Sequence, residues 1–411
     1  PAATNYDATP GVVTDNTLCT YPPVVYACTD PAATNYDATP GVVTDNTLCL
    51  YPPIVPPVII TVTGGPGLLI PVTGGVGGLI PVTGGNQIVS GLGHSCMPYG
   101  DGQVICWGLN ASGQLGDGST VDRNVADYVE NMTGVLSLTA GSKHTCALTT
   151  ENEVWCWGEN TFGQLGDGTT QNKSLPVQVK GLPADVLSLS AGEDFTCAQL
   201  ANNEVWCWGK NNLGQLNDGS TKYQAKPVKA GLSANLAQIS GGQNSLFVGD
   251  VLGDVLKWAN LKSDPVQEVS NILSISADRW DDTGCSITLD GAILCWDAGL
   301  VSEEIESKLP ALEIGKGTDH ACVVNDDETV SCWGANLHGE LGNGTNEASD
   351  LATLVKNMTS AHTLGVGAHH TCALVGASNL PMCWGENTYG QLGNESNENS
   401  NVPVAVVLPV K

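Results

Sequence analysis

The chain is short of positive charge. It has 15 Lys and Arg against 42 Asp and Glu, a formal net charge of −27, and no Lys or Arg precedes Arg123. Sequence-independent affinity for nucleic acid depends on basic side chains displacing counterions, so no nucleic acid is expected among its partners. The same gap excludes a basic signal-peptide n-region and a polybasic membrane anchor ahead of Arg123. Charge of either sign is scarce, at 14% of residues, while 41% are hydrophobic. That is too apolar for a disordered acidic tail and implies a folded chain. Residues 46–100 carry no charged side chain at all. Prolines at 52, 53, 56, 57, 66, 71 and 81 nevertheless interrupt that stretch. No helical run of about 20 apolar residues survives them, so no membrane-spanning segment is expected. An initiator Met is also lacking, which reads as a processed or internal start, with further modules expected upstream.

What is present is repetition, at three periods. Residues 1–19 recur unchanged as residues 31–49. A decapeptide ending in V-T-G-G follows at Ile60–Gly65, Ile70–Gly75 and Ile80–Gly85. Trp107, Trp157, Trp208, Trp258, Trp296, Trp333 and Trp384 then close seven longer units. Within a full unit, short runs such as VLSLTAG, HTCALTT, EVWCWG and PVQVK alternate with gaps rich in Gly, Asp and Asn. That is strand and turn chemistry, four strands to a unit. Repeats of about 40–50 residues with four strands read as blades of a β-propeller, because one small sheet cannot bury both faces until neighbours pack around an axis. The units ending at Trp258 and Trp296 lack the G-Q-L-G loop and read as trimmed blades.

The string from Cys146 to Val179, echoed at Cys96, Cys197, Cys322 and Cys372, resembles the regulator of chromosome condensation repeat over about residues 87–411. The resemblance implies a seven-bladed propeller. The family's guanine-nucleotide exchange on a nuclear GTPase, with histone and DNA contact, does not fit this charge. The family also has extracellular bacterial members that bind other proteins, including an inhibitor of β-lactamases, so the fold leaves function open. The expected architecture is all-β. Tandem disulfide modules occupy 1–49, an uncharged extended stalk 50–86, and a seven-bladed propeller of four-stranded antiparallel blades 87–411. The final strand is expected to complete the first blade.

Six units carry two cysteines about a turn: Cys96 and Cys106, Cys146 and Cys156, Cys197 and Cys207, Cys285 and Cys295, Cys322 and Cys332, Cys372 and Cys383. A hairpin sets such residues opposite one another at a separation suited to a disulfide. The fourth unit has Leu246 and Lys257 in the corresponding places, losing both partners together. Cys28 is expected to pair with Cys49, leaving Cys19 as the odd one of 15, bonded upstream or to another chain. Paired cysteines on this scale place the protein outside the cell, at its surface.

His94, His144, His320 and His370 each stand two residues before a cysteine. Ligands scattered around a ring do not gather on one metal, so these read as packing or turn residues. No metal or cofactor is expected. Asp117, Asp167 and Asp218 read as turn residues in preference to calcium ligands, and Asp30, Asp37 and Asp45 are weak calcium candidates beside an equally good Asx-turn reading. Sequons stand at Asn110, Asn131, Asn172, Asn343, Asn357 and Asn394. There is no G-x-S-x-G, H-E-x-x-H or phosphate-cradling loop, so no enzyme is expected; a hydrolytic site at His369 and His370 is the minor alternative. The apolar decapeptides need partners for their edges, and Ile60, Val62, Leu69, Ile70, Val72, Leu79, Ile80 and Val82 are the candidate assembly strands. The functional expectation is a non-enzymatic extracellular display protein, self-assembling into a surface fibre or layer with other copies of itself as partners. The alternative is a soluble or tethered binding module whose loops recognise a protein or glycan.

Overall fold

The computed structural model describes residues 87–410 except Ala184, 232–235, 251–252, 260–261, 266–270, 298–299 and 308. The expectations for Cys19, Cys28, Cys49, the decapeptide strands and Asp30, Asp37 and Asp45 lie outside the described residues. Among the described residues, 28 strands form seven four-stranded antiparallel sheets, each built from strands consecutive in the chain. The blades span residues 89–128, 135–178, 186–229, 236–265, 272–305, 311–354 and 361–405. The chain is an all-β, seven-bladed propeller. No helix among the described residues is long and apolar enough to cross a membrane.

The second blade shows why these residues form these strands. Its second strand, His144–Thr149, is buried along its whole length, because neighbouring blades cover both faces. Its outermost strand, Lys173–Gln178, is half-exposed or exposed throughout and tolerates Lys, Ser and Gln. Between blades the core is a series of apolar clusters, each carrying a tryptophan from one blade against the aliphatic residues of another. Trp157, for instance, packs with Leu115, Val129 and Met132, which precede its own blade in the chain. Gly158, after that tryptophan, has φ +105°, and a Cβ there would lie 2.4 Å from the Lys143 carbonyl oxygen. Only glycine lets the Trp strand leave the blade at this point.

The six cysteine pairs stand directly opposite one another and are bonded, with Cα separations of 4.0–4.1 Å. In the fourth blade the register corrects the sequence reading. Lys257 lies opposite Phe247, while Leu246 faces Trp258. Phe247 therefore stands where a cysteine would, and the Lys257 ammonium lies 5.5 Å from the centre of its ring, a cation–π contact. The fourth and fifth blades turn straight from the Trp strand into the outer strand, pairing Ala259 with Lys262 and Asp297 with Leu300.

The expected closure is also corrected. The C-terminal Ser400–Ala405 strand does not complete the first blade; it pairs with its own Trp strand, Met382 opposite Ala405. The outer strand of every full blade does likewise, as Trp155 opposite Gln178 shows. The first blade makes its innermost strand from Val89–Ser90. Local contacts shut the ring: Ser90 Oγ donates to Gly365 O (3.1 Å), Trp107 Nε1 to Gln391 O (3.0 Å) and Ala126 N to Val407 O (3.1 Å).

Adjacent blades are joined by a buried relay. His94 Nε2 lies 3.0 Å from Thr145 Oγ1, which donates to Gln114 O at 3.1 Å; Trp157 Nε1 donates to the same carbonyl at 2.9 Å. Because the Thr145 proton is committed, the hydroxyl accepts from His94, which fixes the Nε2–H tautomer. The relay recurs with His144, Thr196, Gln164 and Trp208, and across the ring closure Ser95 takes the threonine's place at 2.9 Å from His370 Nε2. Thr145→Val keeps the volume but leaves the His94 N–H and part of the Gln114 carbonyl unpaired. It should lower unfolding free energy by about 1–3 kcal/mol in urea titrations, with Thr145→Ser nearly neutral. Equal stability of the two variants would show that the relay does not hold the blades together.

Candidate functional site

The long loops between the third and fourth strands, at 109–122, 159–172, 210–223, 335–348 and 386–399, lie on one face of the ring, together with the turns that link the first and second strands. Each loop is folded around a buried asparagine. Asn160 Oδ1 accepts from Leu165 N (2.9 Å), while its Nδ2 donates to Asp167 Oδ1 (3.3 Å), Thr169 O and Gln171 O (both 3.1 Å). Asn110, Asn211, Asn336 and Asn387 repeat the arrangement. The loops are thus pre-organised and present their tips outward, with Val121, Leu213, Tyr223, Leu337 and Tyr389 all exposed.

This geometry sorts the residues singled out in the sequence. Asn110 is fully buried, and its Nδ2 is spent on loop-closing hydrogen bonds to Asp117, Ser119 and Val121. It is therefore removed as a glycosylation site in the folded propeller. Asn131, Asn172 and Asn357 are exposed, and Asn343 and Asn394 half-buried. Asp117 caps its own turn, accepting from Ser119 N (2.9 Å), Ser119 Oγ (2.8 Å) and Arg123 Nε (3.0 Å). Burial pushes its pKa up, but these hydrogen bonds outweigh burial and leave it below the usual carboxylate value. Asp218 behaves the same way, and Asp167 accepts from Thr169 in the same geometry. These are turn-closing groups.

The four histidines are set apart from one another in the inter-blade relays. Burial, aided by neighbouring cations and histidines, holds His94, His144 and His370 down at about 3, and His320 is also lowered well below its usual value. Each ring lies over a glycine: a Cβ on Gly141 would lie 2.1 Å from His144 Cε1. Phe195 occupies the same slot over Gly192 in the third blade, so the slot is one of packing.

Two features were not anticipated. Arg279, in a turn of the fifth blade, donates through Nε to Ala191 O of the third blade and through its guanidinium to Ser90 O of the first, both at 3.2 Å. It therefore spans the centre of the ring. Burial lowers it to about 10, opposed by Asp278, so it stays charged. Its signal in the sequence is the SADRWDD turn, which stands where other blades have Gly two or three residues before His or Phe. Asp278 beside it is raised to about 7 by burial, against the pull of Lys316 at 3.3 Å. The second feature is an acidic residue in a slot of the loop otherwise filled by glutamine. Glu340 stands where Gln114, Gln164, Gln215 and Gln391 stand, with His338 and His369 beside it.

The trimmed fifth blade changes the face locally. In a full blade, the loop of the preceding blade covers the tryptophan. With that loop lacking, a pocket of about 280 Å³ opens between the fifth and sixth blades, lined by Trp296, Trp333, Lys316, Asp281, Asp319 and Asp350 among others.

Glu313, on the innermost strand of the sixth blade, accepts from Leu364 N (3.2 Å) and Thr363 Oγ1 (3.0 Å). Gln87 and Gln238 make the equivalent bond in their blades, to Leu138 and Ile275. Burial raises Glu313 from 4.5 to about 7, although its hydrogen bonds oppose the shift. The folded state thus holds this proton more tightly, so the cost of ionising it begins as pH rises past 4.5 and is complete above about 7. Glu313→Gln should therefore stabilise the propeller by about 1–2 kcal/mol near pH 8 and by much less near pH 5, read from urea midpoints. A gain independent of pH would count against this account.

Comparison with known proteins follows the same outline. Residues 101–148, 151–199, 202–248 and 383–411 match the Regulator of chromosome condensation (RCC1) repeat, and a second form of that repeat matches 135–164 and 186–215. Over 271 residues the chain is 27% identical to the ultraviolet-B receptor UVR8 of Arabidopsis thaliana, covering 57% of this chain and 61% of that protein. It is 26% identical over 226 residues to human HERC3, a probable E3 ubiquitin-protein ligase, covering 54% of this chain and 19% of that one. The chain thus spans less than two thirds of these relatives. Among solved structures it is similar to Prp20p of Saccharomyces cerevisiae, with a TM-score of 0.64 at 20% identity over 78% of this chain and 87% of that one. It is also similar to the ectodomain of the receptor kinase CR4 of Physcomitrella patens, with a TM-score of 0.50 at 18% identity over 74% of each. At these identities the likeness is one of fold.

Proposed function

Because this chain carries regulator of chromosome condensation (RCC1) repeats in a disulfide-linked seven-bladed propeller, we propose that it is a non-enzymatic extracellular binding module, displayed from an N-terminal stalk. The carrying observation is the long-loop face. Four of the five pre-organised loops bear exposed apolar side chains, and the gap left by the trimmed blade opens a pocket with a carboxylate rim over the buried edges of Trp296 and Trp333. Asp281, Asp319, Asp350 and Lys316 around an apolar floor suit a glycan or a polar protein loop, because hydroxyl or amide groups find hydrogen-bond partners of both signs there. The net charge of −27 disfavours nucleic acid. Six bonded cysteine pairs among the described residues support a location outside the reducing cytosol.

A second reading has its own support. The charge-free decapeptides ending at Gly65, Gly75 and Gly85, and the odd count of 15 cysteines, favour self-association of the stalk into a fibre or layer. The two readings part on one truncation. A chain starting at Gln87 should remain folded, keep glycan or protein binding, and lose any higher-order assembly of the parent in electron micrographs and sedimentation. On the binding reading, Asp319→Ala and Asp350→Ala should weaken the ligand by roughly tenfold or more without lowering the melting temperature. Assembly that persists in the truncated chain would assign self-association to the propeller instead of the stalk. Binding that is indifferent to both substitutions would remove the pocket from the proposal.

A further inference from the structure

We propose that His338, Glu340 and His369 form a binding site for a divalent transition-metal ion of the Zn2+ class, at the junction of the sixth and seventh blades. His338 Nδ1 lies 2.9 Å from Glu340 Oε1, and His369 Nδ1 lies 3.9 Å from the same oxygen. One ligand atom from each of the three residues falls within 4.8 Å of the others. A tetrahedral ion with bonds of about 2.0–2.2 Å sets its donors roughly 3.2–3.6 Å apart, so small rotations of two imidazoles gather this set. Both histidine side chains are about one-third exposed and free to make them, at 32% and 34%.

The carboxylate is the fixed member. Glu340 is 2% exposed, and its Oε2 accepts from His338 N at 2.8 Å. Sister loops use glutamine for that purpose: Gln114 Oε1 accepts from Ser112 N and Gln391 Oε1 from Tyr389 N, both at 2.8 Å. In all four glutamine loops the amide nitrogen is buried with no hydrogen-bond partner. Glutamine thus aims an unused donor into this slot, and Glu340 aims a carboxylate oxygen there instead. The structural role needs only the first oxygen, and the second is left to face two imidazoles.

The histidines are likewise peculiar to this junction. The seventh and first blades meet through Tyr389 and Gly93, where a Cβ on Gly93 would lie 3.1 Å from the Tyr389 ring. Ser112 with Lys143, Phe162 with Asp194, and Leu213 with Asn244 hold the corresponding places in the other full junctions. Two imidazole nitrogens and one carboxylate suit zinc, cobalt or nickel; calcium and magnesium prefer an all-oxygen shell. Three protein ligands and outward exposure leave a further coordination position open to solvent or to a donor from a bound molecule.

The test uses the full chain and Zn2+ alone, followed by isothermal titration calorimetry, with Co2+ absorption as a second readout of ligand geometry. The informative variants put in residues that sister blades already carry: Glu340→Gln, His338→Tyr and His369→Gly. The parent should bind one more equivalent of Zn2+ than the triple variant. Each single variant should weaken that equivalent at least tenfold and abolish the Co2+ visible bands. Metal-free melting temperatures of the variants should match the parent, and for any variant that melts earlier, Zn2+ protection of the parent's histidines from diethylpyrocarbonate replaces it as the readout. Equal Zn2+ stoichiometry and affinity in parent and triple variant, or no protection of His338 and His369, overturns the proposal and leaves an ordinary histidine–glutamate hydrogen bond.

Discussion

In four of the seven blades the indole N–H of the tryptophan ends on a carbonyl oxygen that belongs to the preceding blade, and much of the propeller's design follows from that bond. Trp157, Trp208, Trp384 and Trp107 reach Gln114, Gln164, Glu340 and Gln391 in turn, at 2.8–3.0 Å. For the carbonyl to be there, the loop must fold back over the neighbour, which is the work of its buried asparagine. For the indole to be there, the Trp strand must end at a left-handed glycine. The leucine after the glutamine or glutamate then has no exit and packs down: Leu165, Leu216, Leu341 and Leu392 are all 0% exposed. A G-Q-L-G loop is thus a single device with three jobs, capping its own blade, accepting from the next and plugging the seam between them. Because a buried carbonyl that loses its donor costs more than the bond itself contributes, each blade depends on its neighbour. Seven weak sheets thereby become one ring.

That logic explains how much could be read from residues alone. The tryptophan period, the four-strand units and the opposed cysteines are local chemistry within a hairpin, so they survive reading without coordinates. The destination of the last strand is not local. A Pro-Val run reads the same whether it pairs at home or across a seam, and the long loop, which returns each chain to its own Trp strand, decides the matter. Asn110 fits a sequon as well as Asn172 does, yet one is the loop's buried internal strut and the other stands exposed at the end of its loop, where its Oδ1 accepts from Asn160 N at 3.0 Å. Phe247, not Leu246, faces Lys257, because strand register, not spacing from the tryptophan alone, chooses the partner. The SADRWDD turn marks Arg279 as a departure from the repeat but does not show what it reaches, because its partners lie 88 and 189 residues away.

The buried histidines and Arg279 show how the ring manages charge at its centre. Four imidazoles that stay neutral can be packed over glycines and used as single donors, as Phe195 shows by filling one slot with no polar atom. A guanidinium cannot be neutralised in this way. It is held instead by two inner-strand carbonyls from separate blades, whose lone pairs lie at the ends of Val89–Ser90 and Val186–Ala191. Arg279 therefore ties opposite sides of the ring together, where the relays join only neighbours. It also discourages protonation of His94 and His144 beside it, so the cation and the neutral histidines reinforce one another.

Arg279 stands in the fifth blade, one of the two that lack the long loop, and the fourth blade lacks the disulfide as well. Without the loop the fourth blade offers Trp296 no carbonyl, and Trp296 Nε1 is buried with no hydrogen-bond partner, as is Trp258 Nε1 of the fourth blade itself, although the third blade keeps its loop. Apart from the Cys285–Cys295 bond of the fifth blade, this arc has given up most of the repeated locks and uses individual substitutes: the Lys257–Phe247 contact, the Asp282 carboxylate that accepts from Asn244 N and Ser245 Oγ at 2.7 Å, and the Arg279 span. Substitutes of this kind hold the ring without covering its face, so the surface above them stays open, as the pocket between the fifth and sixth blades shows. Sequence change in that arc, outside the Cys285–Cys295 pair, disturbs few of the repeated locks. The part of the ring that departs most from the repeat is therefore the part where recognition can be varied at least cost to the fold.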